Sequence, residues 1–372
     1  MESSKKIAIA TGSRADWGLL YPLVVELRKR GIKPIIIATY AHLFPEMGDT
    51  IAELVADGFP PTMSVPTRRA PHEAVADAIT GFSKAFRFLH PDSIVILGDR
   101  LEMMGVATAA LLEKVPVTHI AGGTISEGAF DNAIRNSISQ IASLHFPETT
   151  EGEYRLLRMG ASQDRVTVAG ALGVYNCMNT EKISLDEIEK FLDFKLGEKY
   201  LLGTFHPATL SDISPTEQMK LWIEGLELTL KSNPDLKLLL TFPNTDTDAT
   251  PLLSQLFSFE ASWRDRVKVV SSLGRIRYIN AARNASVIAG NSSSGIVELP
   301  SLGVPVIDIG IRQRGRQRSE AVLHCELSPE SIRDAVDQAL LPEAIEKAKI
   351  TMNPYFRPDT PAIIADKILE TK

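Results

Sequence analysis

Short runs of β-branched and aliphatic residues alternate with longer amphipathic segments along the whole chain. Such alternation is typical of parallel sheets, whose strands are buried on both faces and joined by helices. In the first half, the predicted strands are 6–11, 34–39, 93–98, 117–120, 144–147 and 166–169. In the second half, they are 200–204, 237–242, 267–270, 287–290 and 305–309. The pattern therefore predicts an α/β fold.

The segments between these strands include clear amphipathic helices. From Trp17 to Arg30, apolar residues recur at helical spacing, and Gly31 supplies a stop signal. A second long amphipathic helix is predicted from Thr216 to Ser232. The first of these helices, with the strands on either side, predicts a βαβ unit.

The chain length of 372 residues exceeds what a single hydrophobic core usually supports. A polar, charge-rich stretch from Glu181 to Lys190 separates two similar sets of strands. We therefore predict two Rossmann-like domains facing a central cleft, an N-terminal domain at 1–175 and a nucleotide-binding domain at 176–353. Residues 354–372 are predicted to form a C-terminal helix that packs back on the N-terminal domain.

Composition narrows the class of protein. With 44% hydrophobic and 23% charged residues, the chain has ample core, and its net charge of −6 disfavours a nucleic-acid partner. No apolar run approaches the roughly 20 residues of a membrane helix, and the start of the chain does not resemble a signal peptide, so we expect a cytoplasmic protein. Cys177 and Cys325 lie far apart, which argues against a disulfide framework or a zinc site. No metal or cofactor is implied.

The segment from Ala285 to Glu298 is the most informative motif. An apolar strand leads into a turn of small residues, Gly290 and Ser292 to Gly295, and then into a predicted helix. Small residues allow a ligand close to the backbone, and the first N–H groups of a helix attract an anion. The turn lacks the Gly-Lys-Ser/Thr ending of a P-loop, so we predict a nucleotide diphosphate site with Glu298 near the ribose rather than a motor ATPase.

Polar residues also follow several other predicted strands. Because ligands of open parallel sheets bind at the carboxyl ends of the strands, these residues are candidates for the site. They are Arg14, Asp99, Arg100, Glu127, Asp131 and His206. Ordinary structural roles remain open for them: helix capping for the two aspartates, packing for His206, and a first-turn helix carboxylate for Glu298.

At these positions the chain resembles the UDP-N-acetylglucosamine 2-epimerase family over nearly its whole length. The motifs are Thr11-Gly-Ser-Arg-Ala-Asp, His42-Leu43, Gly98-Asp-Arg-Leu-Glu102, the Gly-Gly pair before Asp131, His206-Pro207, Phe242-Pro-Asn244, Gly290-Asn-Ser-Ser293 with Glu298, and Gly303-x-Pro305. The Arg-Ala-Asp opening, the spacing from the Gly-Gly pair to Asp131 and Arg135, and the Arg-rich run from Ile311 to Arg316 resemble the hydrolysing branch.

The resemblance implies a two-domain fold like that of the GT-B glycosyltransferases and a role in making sialic-acid-type sugars. It also implies that one group removes the proton at C2 of the sugar, the nucleotide leaves to give a glycal, and water then adds. The implied diphosphate ligands are Ser292, Ser293 and Arg312, with Glu298 at the ribose and Arg14, Arg100 and His206 near the phosphates. The resemblance makes Asp99 and Asp131 the acid/base candidates, and the full set of candidate catalytic residues is Asp99, Asp131, Glu127 and His206.

Three positions depart from the family pattern. Ala121 stands where Glu or His is common, Thr124 where Glu is usual, and Asn136 where His often follows the arginine. Glu127 is the candidate substitute for the missing acid/base group. Besides a hydrolysing 2-epimerase, three alternatives remain open: a non-hydrolysing 2-epimerase, a GT-B glycosyltransferase and a catalytically silent nucleotide-sugar binding protein. A homodimer or homotetramer is expected.

Overall fold

The computed structural model describes residues 5–44, 50–125, 131–208, 211–243 and 250–371. They form two compact units, each built on a six-stranded sheet in which the paired strands are parallel. The first unit runs to Ile125, resumes up to Asn176 and takes in the chain again from Arg357, and the second runs from Cys177 to Phe356. The α/β class predicted from the hydrophobic pattern is confirmed.

The first unit contains a sheet with the strand order β3-β2-β1-β4-β5-β6. Its strands are β1 Ile7–Thr11, β2 Ile35–Thr39, β3 Met63–Val65, β4 Ser93–Leu97, β5 Val117–Ile120 and β6 Leu144–Phe146. β1 and β4 are neighbours although two strands separate them in sequence, so the strand order reverses between them. Ligands of open parallel sheets bind beside such a switch point, at the carboxyl ends of the strands.

Helices cover both faces of this sheet. They are α1 Arg14–Lys29, α2 Thr50–Ala56, α3 Pro71–Leu89, α4 Leu101–Leu112, α5 Asp131–Ile141 and α6 Thr150–Arg158. Short 3-10 helices span Tyr40–Leu43 and Gln163–Arg165. α1 begins where the Ser13 side chain accepts a hydrogen bond from the Asp16 N–H, and it buries its predicted apolar stripe, including Trp17 and Leu23. Helix α7, Leu172–Asn179, follows the second of these 3-10 helices in the chain.

The C-terminal segment belongs to the first unit. Helix α15, Thr360–Glu370, buries Ile364, Ala365 and Ile368 in the same core as the apolar stripe of α1. The Thr360 hydroxyl donates to the carbonyl of Ala169 at 2.7 Å, which ties the start of the helix to this unit. The predicted return of the C-terminal helix is confirmed.

The second unit repeats the architecture with the strand order β12-β11-β10-β7-β8-β9. Its strands are β7 Tyr200–Thr204, β8 Lys237–Thr241, β9 Val267–Val270, β10 Val287–Gly290, β11 Val306–Ile309 and β12 Val322–Cys325. Its helices are α8 Leu185–Leu192, α9 Pro215–Ser232, α10 Thr250–Ser262, α11 Gly274–Asn284, α12 Ser294–Val297, α13 Pro329–Ala339 and α14 Pro342–Ile350, with a 3-10 helix at Leu299–Leu302. Here the switch point lies between β7 and β10.

The strand prediction needs three corrections. Residues 166–169 are not a strand. The N–H groups of Thr167 and Ala169 donate to the carbonyls of His145 and Pro147, and Val166 forms a single bridge with His145. β3 and β12, which are short strands at sheet edges, were not predicted. The other two edge strands, β6 and β9, were predicted, so the local pattern identified half of the edge strands.

Among the described residues, no helix is long and apolar enough to cross a membrane.

Candidate functional site

The switch point of the first unit carries a buried ion pair. Asp99 follows β4, and the Arg135 guanidinium donates from Nη2 to its Oδ2. Arg135 is almost completely buried, with 3% of its side chain exposed, whereas Asp99 keeps 27%. Arg135 also donates from Nη1 to the carbonyl of Thr124 at 2.6 Å. Arg135 thus fixes one oxygen of a carboxylate that still reaches solvent.

Asp131 lies on the helix that supplies this arginine. It is the first residue of α5, four positions before Arg135, so the two side chains project from one face of the helix. Asp131 is partly buried. Helix α5 therefore places a second carboxylate one turn from the arginine that holds Asp99. Glu127, the other predicted acid, lies outside the described residues.

A second charged cluster lies beside the first, around Arg100. Its Nε is 2.7 Å from Glu102 Oε1 and 3.4 Å from Asp16 Oδ2. Asp16 Oδ2 also accepts a hydrogen bond from the Gly12 N–H at 3.1 Å. Burial raises the pKa of Asp16 to about 6, with Arg100 opposing and Glu102 reinforcing the shift. Two carboxylates thus already balance Arg100, and a phosphate would compete with them.

Arg14 is placed differently. It begins α1, with 60% of its side chain exposed, and its Nε is 2.7 Å from Glu53 Oε1. The pair is solvated on both sides, so it contributes little to stability. Arg14 is accessible to an anionic ligand from this surface position.

The switch point of the second unit holds the serine-rich turn. Gly290, the last residue of β10, pairs with Thr204 of β7. Its φ is +153°, and a Cβ there would lie 1.9 Å from the carbonyl oxygen of Thr204. Only glycine fits this close approach of two backbones. The first position of the Gly290-Asn-Ser-Ser293 turn therefore has to be glycine for steric reasons.

Asn291 connects this turn to two predicted phosphate ligands. Its side chain accepts from the His206 N–H at 2.7 Å and donates to the His206 carbonyl at 2.8 Å. Its own carbonyl accepts from Arg312 Nη1 at 3.0 Å and from Gln313 Nε2 at 2.9 Å. Asn291 is 2% exposed. One buried residue therefore holds His206 through its side-chain amide and Arg312 through its backbone carbonyl, beside the serine turn.

His206 is neutral at physiological pH. Burial, together with the nearby positive charge of Arg312, lowers the pKa of His206 to about 4. A neutral imidazole donates from one nitrogen and accepts at the other. At this position it suits hydrogen bonding to a phosphate oxygen better than cationic pairing.

The serine hydroxyls form a chain of their own. Ser294 Oγ lies 3.1 Å from Ser292 Oγ and 3.4 Å from the Tyr278 hydroxyl. Ser293 immediately precedes α12. The turn after β10 is thus rich in groups that can either donate to or accept from an oxyanion.

The helix predicted after this turn is present but short. α12 contains only Ser294–Val297, and its first N–H groups already bond within the turn, as in Gly295 to the Ser292 carbonyl at 3.1 Å. Pro300 follows two residues after Glu298, and proline disfavours α conformation before it. Glu298 therefore lies at the junction with a 3-10 helix rather than inside a long helix. The predicted helix-dipole contribution to anion binding is correspondingly small.

Sequence reasoning assigned no role to two of the most connected residues, Arg135 and Asn291. A signal for Arg135 was present, since it interrupts the buried stripe of α5 beside Ile134 and Ile138. For Asn291 the sequence carries no such signal, because an asparagine beside glycine and serine is usual in a turn. Among the described residues, no cluster of His, Cys, Asp or Glu could hold a metal ion.

Comparisons with known proteins identify the family. The model of the UDP-N-acetylglucosamine 2-epimerase family matches residues 25–369. A GDP/UDP-N,N'-diacetylbacillosamine 2-epimerase (hydrolyzing) of Campylobacter jejuni is 34% identical over 358 residues, which cover 94% of this chain and 90% of the relative. A UDP-N,N'-diacetylbacillosamine 2-epimerase (hydrolyzing) of Legionella pneumophila is 31% identical over 344 residues, covering 90% and 89%.

Solved structures agree with the fold. A UDP-GlcNAc 2-epimerase from Neisseria meningitidis bound to UDP-GlcNAc superposes with a TM-score of 0.82 at 20% identity, covering 98% of this chain and all of that one. The matched family model and the two relatives described above indicate the same family. The chain therefore belongs to the UDP-N-acetylglucosamine 2-epimerase family, in its hydrolysing branch.

Proposed function

We propose that this protein is a hydrolysing 2-epimerase that converts a nucleotide-activated 2-acetamido sugar into the free 2-epimer and a nucleoside diphosphate. The observation that carries the proposal is the Asp99 and Arg135 pair at a switch point, in a chain whose 34% identical relative is named as a hydrolysing 2-epimerase. The serine turn and the His206 cluster support the nucleotide-binding part.

The proposed reaction balances without a metal or redox cofactor. A base takes the proton from C2, the bond between C1 and the diphosphate oxygen breaks, and a glycal with a double bond between C1 and C2 forms. Water then adds its hydroxyl at C1, while an acid delivers a proton to the opposite face of C2. Two carboxyl groups in different environments are suited to these two transfers, and Asp99 and Asp131 are the pair that we propose.

The second unit would hold the leaving group. Ser292 and Ser293 are proposed to donate to the diphosphate, with Arg312 and neutral His206 beside them, and Glu298 would accept from the ribose hydroxyls. Cations and hydrogen-bond donors near the leaving diphosphate stabilise the negative charge that grows as the C1 bond breaks.

The sugar is proposed to be a 2,4-diacetamido sugar rather than N-acetylglucosamine. The two relatives described above, from Campylobacter jejuni and Legionella pneumophila, are named for N,N'-diacetylbacillosamine, which is such a sugar. One relative is named for both GDP and UDP, so either base is a candidate. Sugar selection depends on pocket shape and a few contacts, which have to be measured.

A catalytically silent binding protein is the rival that a specific observation favours. Ala121, Thr124 and Asn136 replace acid or base residues of the family pattern, and Ala121 has no titratable side chain to offer. A non-hydrolysing 2-epimerase would return the nucleotide sugar, and a glycosyltransferase would require an acceptor. The three enzymes are distinguished by the products they release, and the binding protein by releasing none.

The experiment is proton NMR of the purified protein with UDP-N,N'-diacetylbacillosamine, its GDP counterpart and UDP-N-acetylglucosamine in deuterated water. We expect the free 2-epimer carrying deuterium at C2, together with released nucleoside diphosphate. A labelled nucleotide sugar without release would indicate the non-hydrolysing reaction. Binding by calorimetry with no turnover of any of the three would favour the silent protein.

Self-association is proposed as well. Phe88, Leu111 and Leu112 are well exposed, and the ion pair of Arg87 with Glu113 brings them to the same end of α3 and α4. Apolar side chains gathered in this way are typical of protein interfaces. Analytical ultracentrifugation should give a dimer or tetramer, and Leu112→Ser should shift the distribution toward the monomer.

A further inference from the structure

A pair of buried histidines lies beneath the Asp99 site. His119 on β5 and His145 on β6 are direct partners in the parallel ladder, so both side chains project to the same face of the sheet. They are 0% and 4% exposed. Neither has a part in the proposed chemistry, yet the first of them contacts the turn that carries Asp99.

The hydrogen bonds of His119 determine its tautomer. Nε2 lies 2.8 Å from the carbonyl oxygen of Gly98, which can only accept, so Nε2 carries the hydrogen. Burial lowers the pKa of His119 to about 4, so Nδ1 carries no hydrogen at neutral pH. Nδ1 lies 3.0 Å from Ser139 Oγ, and the serine hydroxyl must therefore donate to it.

The acceptor of this bond controls the direction of Asp99. The Gly98 carbonyl belongs to the planar peptide that joins Gly98 to Asp99, and the Gly98 N–H donates to the carbonyl of Ile120 at 2.9 Å. Two consecutive residues of β5 thus fix both sides of Gly98. Any rotation of that peptide would turn the Asp99 side chain relative to Arg135.

A neutral ring is also what the ion pair requires. Asp99 and Arg135 are both close enough to His119 to influence its pKa. A charged imidazolium would repel the Arg135 guanidinium and compete for the carboxylate. The serine hydroxyl, by donating to Nδ1, favours the uncharged form of the ring.

A cavity of about 110 Å³, partly open to solvent, adjoins the other side of Ser139. His145 lines it too, and among the described residues its buried Nδ1 has no hydrogen-bond partner. The Gln140 amide closes part of the wall by donating to the Met159 carbonyl at 3.0 Å. This space is more than one water molecule needs, and a bound water seeks two to four polar partners, of which Ser139 Oγ and His145 Nδ1 would be two.

We propose that His119 is a positioning residue for Asp99, and that water bound in this cavity links Ser139 Oγ to His145 Nδ1. The result is a buried hydrogen-bond chain from His145 through water, Ser139 and His119 to the Gly98 carbonyl. Water donates to both Ser139 Oγ and His145 Nδ1, which leaves the serine hydrogen for His119. The effect on catalysis through Asp99 rests on the proposed function, whereas the series of hydrogen bonds itself does not.

The first test is nitrogen-15 NMR of the histidine side chains in the intact protein. We expect His119 as the neutral Nε2-protonated tautomer from pH 6 to 8, in the wild type and in Ser137→Ala. Ser139→Ala should keep the hydrogen on Nε2, which still donates to the Gly98 carbonyl, but shift the Nδ1 resonance because Nδ1 loses its donor. Ser137 is the matched control, because it lies on the same helix, and its exposed hydroxyl bonds to the Ala133 carbonyl at 2.8 Å instead. A charged or Nδ1-protonated His119 in the wild type would overturn the proposal.

The second test separates positioning from folding. His119→Gln keeps an amide donor near the place of Nε2, whereas His119→Asn moves it toward the place of Nδ1. We expect kcat to fall about tenfold to a hundredfold in His119→Asn and in Ser139→Ala, with KM little changed and partial recovery in His119→Gln. Equal losses in both histidine variants, in parallel with equal losses of thermal stability, would show a merely structural histidine.

If the wild type turns over no sugar nucleotide, the proposed function fails. The hydrogen bonds from His145 to the Gly98 carbonyl are then tested by two other readouts. One is the carbon-13 shift of the Asp99 carboxyl, which should change in Ser139→Ala but not in Ser137→Ala. The other is a high-resolution crystal structure, which should show water between Ser139 Oγ and His145 Nδ1. An unchanged carboxyl shift, or a cavity without ordered water, would contradict the proposal.

Discussion

Asp99 and Asp16 show how the same side chain acquires different properties at one edge of a sheet. Asp99 is held by the buried Arg135 guanidinium and keeps contact with solvent. Asp16 is buried near a second carboxylate, Glu102, and its pKa rises to about 6. Asp99 is therefore accessible to a ligand, whereas Asp16 contributes to the local charge balance around Arg100.

Replacing Asp99 or Asp131 by asparagine should remove turnover while leaving nucleotide binding intact. Asparagine keeps the shape but neither accepts nor releases a proton, and loss of a general acid or base costs about 10² to 10⁴ in rate. We would measure kcat by product NMR and nucleotide affinity by calorimetry, with Asp164→Asn on an exposed 3-10 turn as the control. Turnover within twofold of wild type would remove that aspartate from the mechanism.

Asn291→Ala should weaken nucleotide binding rather than alter proton transfer. The substitution removes both hydrogen bonds to the His206 backbone and leaves polar groups poorly satisfied, which costs about 1–3 kcal/mol. We expect the Kd for UDP to rise about tenfold, with Asn284→Ala, an exposed site near the end of α11, as the control. An unchanged Kd would show that His206 is placed without Asn291.

At the scale of elements, both switch points are built from a strand end and the turn after it. In the second unit, β10 approaches β7 so closely that Gly290 has no room for a Cβ. The helix beyond that turn is a single turn long, so the binding groups are hydroxyls, an amide and a guanidinium rather than a helix dipole. The geometry of the turn thus depends on the sheet beneath it.

Gly290→Ala should damage this element. The φ of +153° and the contact of 1.9 Å with the Thr204 carbonyl force a rearrangement, which costs about 1–3 kcal/mol and displaces the serines. Gly18→Ala is the control: its Cβ meets nothing within 4 Å, and alanine inside α1 should stabilise by about 0.5–1 kcal/mol. Thermal unfolding and UDP binding test both, and an unperturbed Gly290→Ala protein would contradict the steric requirement for glycine at this position.

At the scale of the whole molecule, buried titratable groups link stability to pH. Burial lowers the pKa values of His42, His119 and His206 to about 4, below the ordinary value of 6.5. Between these values the unfolded chain binds protons that the folded protein does not. Asp16 acts in the opposite direction, because its folded pKa of about 6 exceeds the ordinary 3.8.

The free energy of unfolding should therefore fall as the pH decreases from about 6.5 to 4. The three neutral histidines stabilise the folded protein, and this contribution is lost on acidification. Neutral Asp16 stabilises the folded protein at low pH, and that contribution is lost as the pH rises through about 6. Urea unfolding at several pH values measures the slope. Asp16→Asn should steepen the fall and His42→Gln should flatten it, and a slope of the opposite sign would contradict the assignment.

The sequence by itself determined the fold class and the regions where chemistry is concentrated. Alternation of apolar runs with amphipathic helices is a local property, and polar loops after strands lie at one edge of a parallel sheet by geometry alone. The serine turn and the Gly98-Asp99 turn were recognisable for this reason. β3 and β12 were not recognised, although β6 and β9, edge strands of the same lengths, were.

Only the tertiary structure decided which of these groups meet. Arg135 of α5 reaches Asp99, which follows β4, across 36 positions, and Asn291 reaches His206 across 85 because β7 and β10, distant in the chain, are neighbours at the switch point of the second unit. It also decided the ionisation of Asp16 and His119, since burial is set by elements that pack from elsewhere in the chain. A local pattern records which face of an element is apolar, but partners and burial arise only when the elements pack together.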